Sequence, residues 1–334
     1  MFLKRYQSRV RQRFPENHNS MESSRRGFIK RAAITGSALI AAPSIIGAAL
    51  PSVKKKISDA EEPFRLKYAP GFGMFPGHTG KDLSDEIKFC YDKGFRAMFD
   101  NGLMNRPAEE QIKLATEINK RDMELGPFVL YADFAVTSFV LNKPEVKEML
   151  ISRMKEGVEV SKRTGVKWAL VVPGRYDERL HNDYQTANVI DNLKFCCDVL
   201  EPAGLIMVIE PLNTLHDHPG LFLTRIPQAY EICEAVNSPV CKIVDDIYHQ
   251  QITEGNIIPN LEASWKHIAA FHVGDNPGRN EPTTGEINYK NVFRYMYSRQ
   301  YNGVICMEHG RSINGVEGET RVIQAYRECD SFEI

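Results

Sequence analysis

The chain has 334 residues, 43% of them hydrophobic, and 42 Lys and Arg side chains nearly balance 43 Asp and Glu side chains, for a formal net charge of −1. Such a balance leaves no electrostatic footprint for nucleic acid, so nucleic-acid binding is not expected. The length beyond residue 60 is close to the ~250 residues of one large α/β domain.

The amino-terminal segment carries an export pattern. The run Ser24–Lys30 (SRRGFIK) matches the twin-arginine signal, and the mildly apolar Ala32–Leu50 follows it and ends in small residues. Polar residues and a proline interrupt this segment, which favours a signal cleaved near Ala48 or Ala49 over a permanent span. An uncleaved membrane anchor remains the alternative. We therefore predict a signal and linker over residues 1–60, a barrel over residues 61–334, and a periplasmic protein.

Eight short apolar runs bounded by turn residues predict strands over Leu66–Gly71, Phe95–Phe99, Leu125–Tyr131, Lys167–Val172, Leu205–Ile209, Val240–Asp245, Ile268–Phe271 and Val304–Met307. Amphipathic stretches between and after them predict eight helices over Asp85–Lys93, Ala108–Arg121, Pro144–Thr164, Tyr184–Leu200, Pro227–Val236, Asn260–His267, Tyr289–Arg299 and Glu317–Arg327. Strict alternation of this kind is typical of the α/β class and specifically of the (β/α)8 TIM barrel, whose active site lies on the rim where the strands end.

Four residues stand where the last four strands stop, namely Glu210, Asp246, His272 and Glu308. Because the carboxyl ends of parallel strands meet on one rim, three oxygen donors and one imidazole are expected to converge. This donor set suits a divalent metal ion such as Mn²⁺, Mg²⁺, Co²⁺ or Zn²⁺. Successive members are 36, 26 and 36 residues apart, which is about one βα unit each.

Other residues near the strand ends could belong to the site in addition to, or in place of, these four. Asp245 competes with Asp246, and strand alternation should point only one of them at the site. Asn101 and Tyr131 also follow strand ends, but their local sequence does not assign them to the site.

The residues around these positions resemble the xylose isomerase-like barrels and, within them, the hydroxypyruvate isomerase and ketose 3-epimerase families. The resemblance rests on five motifs that occur in the families' order: Val208–Asn213 (VIEPLN), Asp246–His249 (DIYH), His272–Arg279 (HVGDNPGR), Glu281–Tyr289 (EPTTGEINY) and Met307-Glu308.

The resemblance implies that Glu210, Asp246, His272 and Glu308 are metal ligands and that Glu210 and Glu308 also transfer protons. It further implies that His249 and Arg279 contact substrate oxygens. On the loop after Glu210, His216 is an additional substrate-binding candidate, and His218 on the same loop could also close over the substrate.

The implied chemistry removes a proton next to a carbonyl and passes through an enediolate, which a divalent metal ion stabilises. The segment from Glu281 to Tyr289 is most similar to hydroxypyruvate isomerases, which interconvert hydroxypyruvate and tartronate semialdehyde. The third ligand position, however, is His272, as in the epimerases, whereas hydroxypyruvate isomerases commonly have glutamine there. A ketose or keto-sugar 3-epimerase therefore remains the alternative. A non-catalytic sugar-binding barrel is an alternative of another class. A small sugar or hydroxy-keto acid is the expected partner, and these families often form homo-oligomers.

Of the seven cysteines, all but Cys329 fall within predicted helices and strands, and Cys329 lies two residues after the last predicted helix; no two of them form a CxxC pair. A disulfide framework normally has an even number of cysteines placed in loops. We therefore expect these thiols to be small core residues of a protein that folds before export.

Overall fold

The computed structural model describes residues 60–334. The predicted twin-arginine signal and nearly all of the predicted linker lie outside the described residues.

Within residues 60–334 the chain forms nine β-strands. They are β1 (Lys67–Pro70), β2 (Ala97–Met98), β3 (Glu124–Leu125), β4 (Phe128–Ala132), β5 (Trp168–Val172), β6 (Ile206–Ile209), β7 (Cys241–Asp246), β8 (Ile268–Val273) and β9 (Val304–Met307). The same residues form ten α-helices, α1 (Pro76–Thr79), α2 (Leu83–Asp92), α3 (Ala108–Asn119), α4 (Pro144–Thr164), α5 (Asn182–Leu200), α6 (Ile226–Val236), α7 (Ile247–Thr253), α8 (Ile257–Ser264), α9 (Tyr289–Ser298) and α10 (Gly315–Asp330).

The strands are parallel and close into a barrel. Seven of them form a sheet in the order β1-β9-β8-β7-β6-β5-β4, and β2 pairs with β3. A parallel bridge between Gly71 and Phe99 joins β1 to β2, and the Phe99 amide donates to the Pro70 carbonyl at 3.1 Å. Because β3 and β4 are consecutive pieces of one barrel position, the ring has eight positions, which confirms the (β/α)8 prediction.

One predicted strand is kinked. The run predicted as Leu125–Tyr131 divides into β3 and β4 at Gly126-Pro127. The Gly126 amide still donates to Met98 at 2.8 Å, but proline has no N–H to continue the ladder. The regular pairing is therefore interrupted at Pro127, although the Val129 amide still donates to the Asn101 carbonyl, beyond β2, at 3.2 Å.

The core has two layers. Side chains such as Leu170, Val208 and Cys306 fill the barrel interior, while a larger apolar cluster lies between the strands and the surrounding helices. Helix α4 illustrates why the sequence positions these helices: Pro144 occupies its first turn and Gly165 ends it with a left-handed φ of 72°. All seven cysteines are buried and free. None of the helices described over residues 60–334 is long and apolar enough to span a bilayer.

Candidate metal centre

Four side chains converge at the carboxyl end of the barrel. Glu210 and Glu308 directly follow β6 and β9, Asp246 ends β7, and His272 lies near the end of β8. One donor atom from each of the four lies within 4.8 Å of the others. These are the four residues that the sequence predicted as metal ligands.

Strand register explains why Asp246, and not Asp245, belongs to this group. Asp246 is the direct partner of His272 across β7 and β8. Adjacent strand residues point to opposite faces, so Asp245 points out of the barrel. It is fully buried there, and neither of its carboxylate oxygens has a hydrogen-bond partner among the described residues. Burial, reinforced by Asp246, raises the pKa of Asp245 well above its ordinary value.

The imidazole of His272 connects the two glutamates. Its Nδ1 lies 3.0 Å from Glu210 Oε1 and 3.2 Å from Glu308 Oε2. Burial lowers the pKa of His272, but the carboxylates of Glu308 and Glu210 outweigh burial and hold that pKa well above its ordinary value. A positive charge between these two carboxylates, either a proton on His272 or a metal ion, would therefore be favourable.

The two glutamates have opposite protonation tendencies. Burial raises the pKa of Glu210 to about 7, although His272 opposes the shift. Burial acts in the same direction on Glu308, but His272 and Arg279 outweigh it and hold the pKa of Glu308 below its ordinary value. Divergent pKa values in neighbouring carboxyl groups are typical of sites that move protons.

Arg279 and Asn101 hold the carboxylates in place. Arg279 Nη2 donates to Glu308 Oε2 at 2.7 Å and to Asp246 Oδ2 at 3.2 Å. Asn101 Nδ2 donates to the other oxygen of Glu308 at 2.6 Å. Both oxygens of Glu308 are thus oriented, and the charge of Arg279 is shared by two carboxylates.

His249 is fixed in one tautomer by Asn213. Asn213 Nδ2 lies 2.6 Å from His249 Nδ1, and the Asn213 backbone amide lies 3.4 Å from the same atom. Because both groups donate, Nδ1 accepts and the proton is on Nε2. That Nε2 lies 3.5 Å from Asp246 Oδ2 and has no hydrogen-bond partner among the described residues.

The two histidines on the loop after β6 have different environments. The side chain of His216 is 75% exposed, and its Nδ1 lies 3.1 Å from Asp217. His218 instead lines the cavity and stacks on Phe134, with ring centroids 4.8 Å apart. His218 therefore faces the cavity, while His216 faces solvent.

A cavity of about 710 Å³ opens above the centre. Its lining includes the polar side chains of Glu210, Glu308, His249 and Arg279. Aliphatic side chains such as Leu170 also line it. The cavity has the size and the mixture of apolar walls and few polar groups that small-molecule sites have.

The four side chains fit a divalent cation. Three carboxylates and one imidazole are donors that Mn²⁺, Mg²⁺, Co²⁺ and Zn²⁺ accept. Glu210 and Asp246 are buried, so a cation among the carboxylates would offset the cost of burying their negative charge. Glu210, Asp246, His272 and Glu308 are therefore the residues that could hold such an ion.

Comparison with known proteins assigns the fold family. The family model described as "Xylose isomerase-like TIM barrel" matches residues 87–329. The chain belongs to this family. Among curated proteins, the chain is similar to the hydroxypyruvate isomerase of Escherichia coli (strain K12), with 34% identity over 136 residues, or 41% of this chain and 50% of the relative. The match thus spans about half the length of that relative.

Solved structures of similar shape share lower identity. A 3-keto-D-glucoside 4-epimerase from E. coli superposes with a TM-score of 0.64 at 18% identity, covering 79% of this xylose isomerase-like chain and 100% of the epimerase. The IOLI protein with a bound zinc atom gives a TM-score of 0.62 at 18% identity over 80% of this chain and 98% of that protein. At these identities the likeness establishes the fold.

Sequence patterns did not assign Asn213 a role, and they treated His216 and His218 alike. Asn213 lies in the motif around Glu210, but its partner His249 is 36 residues away along the chain. His218 had one signal, its place on a rim loop, and it shares that signal with His216. Only the folded loop distinguishes the two histidines.

Proposed function

We propose that this protein is a divalent-metal-dependent isomerase or epimerase that moves a proton next to a carbonyl group through an enediolate. The observation that carries the proposal is the convergence of Glu210, Asp246, His272 and Glu308 within 4.8 Å at the mouth of the barrel. A substrate that enters the cavity meets this group at the cavity floor.

The residues of the site would have three roles: metal binding, proton transfer and orientation of the substrate. Glu210, Asp246, His272 and Glu308 would hold the ion, which when bound supplies a Lewis acid for the carbonyl and the neighbouring hydroxyl oxygen. Glu210 and Glu308 flank His272, so one carboxylate is available to take the proton and its partner to return it. Arg279 and His249 border the same cavity and would orient the substrate oxygens.

The first candidate reaction is the interconversion of hydroxypyruvate and tartronate semialdehyde. It is supported by the identity to the E. coli hydroxypyruvate isomerase and by the similarity of the segment from Glu281 to Tyr289. Since the match covers about half of that relative, the substrate is a matter for experiment.

The second candidate is epimerisation of a ketose or keto-sugar. It is supported by the imidazole of His272 in the candidate ligand set. Arg279 already donates to two carboxylates, which leaves less of its charge for the carboxylate of an acid substrate. The fold is also shared with a 3-keto-D-glucoside 4-epimerase. An epimerase needs a base and an acid on opposite faces of one carbon, and Glu210 and Glu308 are the two carboxyl groups of the site that could take these roles.

The deciding experiment incubates the Mn²⁺-loaded protein in D₂O with hydroxypyruvate and with a panel of ketoses, followed by NMR. We expect deuterium at the carbon next to the carbonyl, together with isomerised or epimerised product. Product from hydroxypyruvate alone identifies the first candidate, and product from a ketose alone identifies the second. Binding without any exchange would reject the proposal in favour of a non-catalytic sugar-binding barrel.

We also propose export to the periplasm by the twin-arginine route, on the basis of Arg25 and Arg26. The test expresses the full chain in wild-type bacteria and in a strain without the twin-arginine translocase, and compares periplasmic fractions. Accumulation in both periplasms would reject this route.

A further inference from the structure

The cavity extends beyond the reacting centre to an aromatic wall. Phe134 lies on the loop between β4 and α4, and its ring stacks on His218 with an interplanar angle of 17°. His218 in turn lies 5.3 Å from His249, centroid to centroid. Phe134 and His218 both line the cavity that contains Glu210 and Glu308. The aromatic pair therefore adjoins the reacting end of the cavity through His249.

Hydrogen bonds on both sides of Phe134 fix the loop backbone. Asp133 Oδ1 accepts hydrogen bonds from the amides of Ala135 and Val136, at 2.8 and 3.1 Å. On the far side, Thr137 forms an antiparallel bridge with Gly174 on the next rim loop. Both flanks of Phe134 are fixed, yet its side chain remains 46% exposed. An exposed aromatic ring that is fixed in this way at a cavity wall is typical of a ligand-binding surface.

The charge of the cavity restricts what this wall binds. Among the described residues that line the cavity, Arg279 is the only lysine or arginine. Arg279 already donates to Asp246 and Glu308, so its guanidinium is held at the reacting end. Arg175 lies near the aromatic pair but outside the cavity lining, and its Nη1 donates to the Pro219 carbonyl at 3.0 Å. Within the lining, a phosphate or a distal carboxylate would therefore find no free lysine or arginine beside the aromatic pair.

The size of the cavity agrees with a larger ligand. A volume of about 710 Å³ lies within the range that holds drug-sized molecules. Hydroxypyruvate has only three carbons and would leave the wall at Phe134 uncovered. An uncharged sugar ring instead offers apolar C–H faces that can stack on an aromatic ring and hydroxyl groups that can meet the polar lining.

We propose that Phe134 and His218 form a stacking subsite for an uncharged sugar ring, so that the preferred substrates are neutral keto-sugars or keto-glycosides larger than three carbons. This inference rests on the proposed function and names its substrate class. Phe134 acts here as a specificity residue, since it lies away from the reacting carboxylates.

The first test measures ring binding without catalysis. Saturation-transfer NMR with the Mn²⁺-free protein and methyl β-D-glucopyranoside should detect contact with the ring protons. We expect Phe134→Ala to weaken binding roughly ten-fold and Phe134→Leu to weaken it nearly as much, because leucine keeps apolar volume but lacks an aromatic face. Tyr184→Ala removes a 64% exposed aromatic outside this cavity and should leave binding unchanged. No contact in the wild type, or equal contact in Phe134→Ala, would overturn the subsite.

The second test separates this inference from the proposed function. Deuterium exchange is compared for hydroxypyruvate and for D-fructose in wild-type and Phe134→Ala protein. We expect kcat/KM for the six-carbon ketose to fall about ten-fold, and kcat/KM for the three-carbon acid to change by less than two-fold. Equal losses on both substrates, or none, would overturn the subsite while leaving the proposed function intact. Absence of exchange with every substrate in the wild type would instead reject the proposed function, and the binding test would then decide the subsite alone.

Discussion

At the scale of single residues, Glu210 and Glu308 lie 3.0 and 3.2 Å from the same nitrogen of His272. Glu308 is additionally held by Asn101 and Arg279. A carboxylate whose two oxygens are both oriented is suited to proton transfer at a defined position, because little reorganisation is needed during the reaction.

Replacing Glu308 with glutamine tests this role. The amide keeps the size of the side chain but cannot take a proton, so we expect kcat to fall about 10³-fold, in the range that a positioned acid–base group contributes. Deuterium exchange and product formation measure the loss. Glu317→Gln, an exposed change in the first turn of α10, is the matched control and should retain activity within two-fold. Wild-type turnover in Glu308→Gln would remove this residue from the mechanism.

A second prediction concerns the tautomer of His249. In Asn213→Asp a carboxylate replaces the donor at His249 Nδ1, so the proton should move to that nitrogen. ¹⁵N NMR of histidine-labelled protein should then report an Nδ1–H in place of the Nε2–H of the wild type. We expect kcat/KM to fall about ten-fold, since orienting groups around an active residue contribute on that order. An unchanged ¹⁵N spectrum would contradict the assignment.

The same residues show how far the sequence carries the site. Strand ends identified Asp246 and Glu308, because the place where an apolar run stops is a local property of the chain. The partners of those carboxylates depend on contacts between distant segments. Asn101 and Glu308, for instance, are 207 residues apart and meet only when the barrel closes.

At the scale of elements, regular alternation predicted the fold well, and α4 has the predicted bounds, Pro144–Thr164. Helix α7 was missed because it begins directly after β7, with no turn between them. Asp246 ends the strand and caps the helix, accepting from the Tyr248 amide at 2.8 Å. Because Asp246 belongs to the strand and also caps the helix, the sequence contains no turn residues that mark where the strand ends and the helix begins.

Helix α10 provides a prediction at this scale. A Cβ added at Gly318 would lie 1.7 Å from the Ile313 carbonyl oxygen, which belongs to the rim loop. Alanine favours a helix by ~1 kcal/mol over glycine, but a clash with backbone cannot be relieved by rotating a side chain. We therefore expect Gly318→Ala to lower the free energy of unfolding by about 2 kcal/mol, measured by urea denaturation.

Gly157→Ala is the comparison for that experiment. Its new Cβ would lie 2.4 Å from Leu130 Cδ1, the end of a flexible side chain. The leucine can rotate, so the loss should be smaller than at Gly318. Equal losses at the two positions would contradict the role of the rim backbone at Gly318.

At the scale of the whole molecule, β6 to β9 deliver three carboxylates and one imidazole to a single point. The sequence predicted this convergence because parallel strands of a barrel end on one rim. The division of this strand at Gly126-Pro127 was not predicted, since the apolar pattern continues through it.

Metal binding should therefore stabilise the entire barrel. The four donors come from separate strands and lie together only in the folded chain, so an ion binds the native state and not the unfolded one. At an ion concentration of 100 times Kd the gain is about 2.7 kcal/mol, which for a domain of this size raises Tm by roughly 5–10 °C. Differential scanning calorimetry of EDTA-treated protein with and without Mn²⁺ measures the change. The variant His272→Ala lacks one donor and should shift by less than about 2 °C on Mn²⁺ addition, whatever its starting Tm. An equal shift in this variant would mean that the ion stabilises the protein from another position.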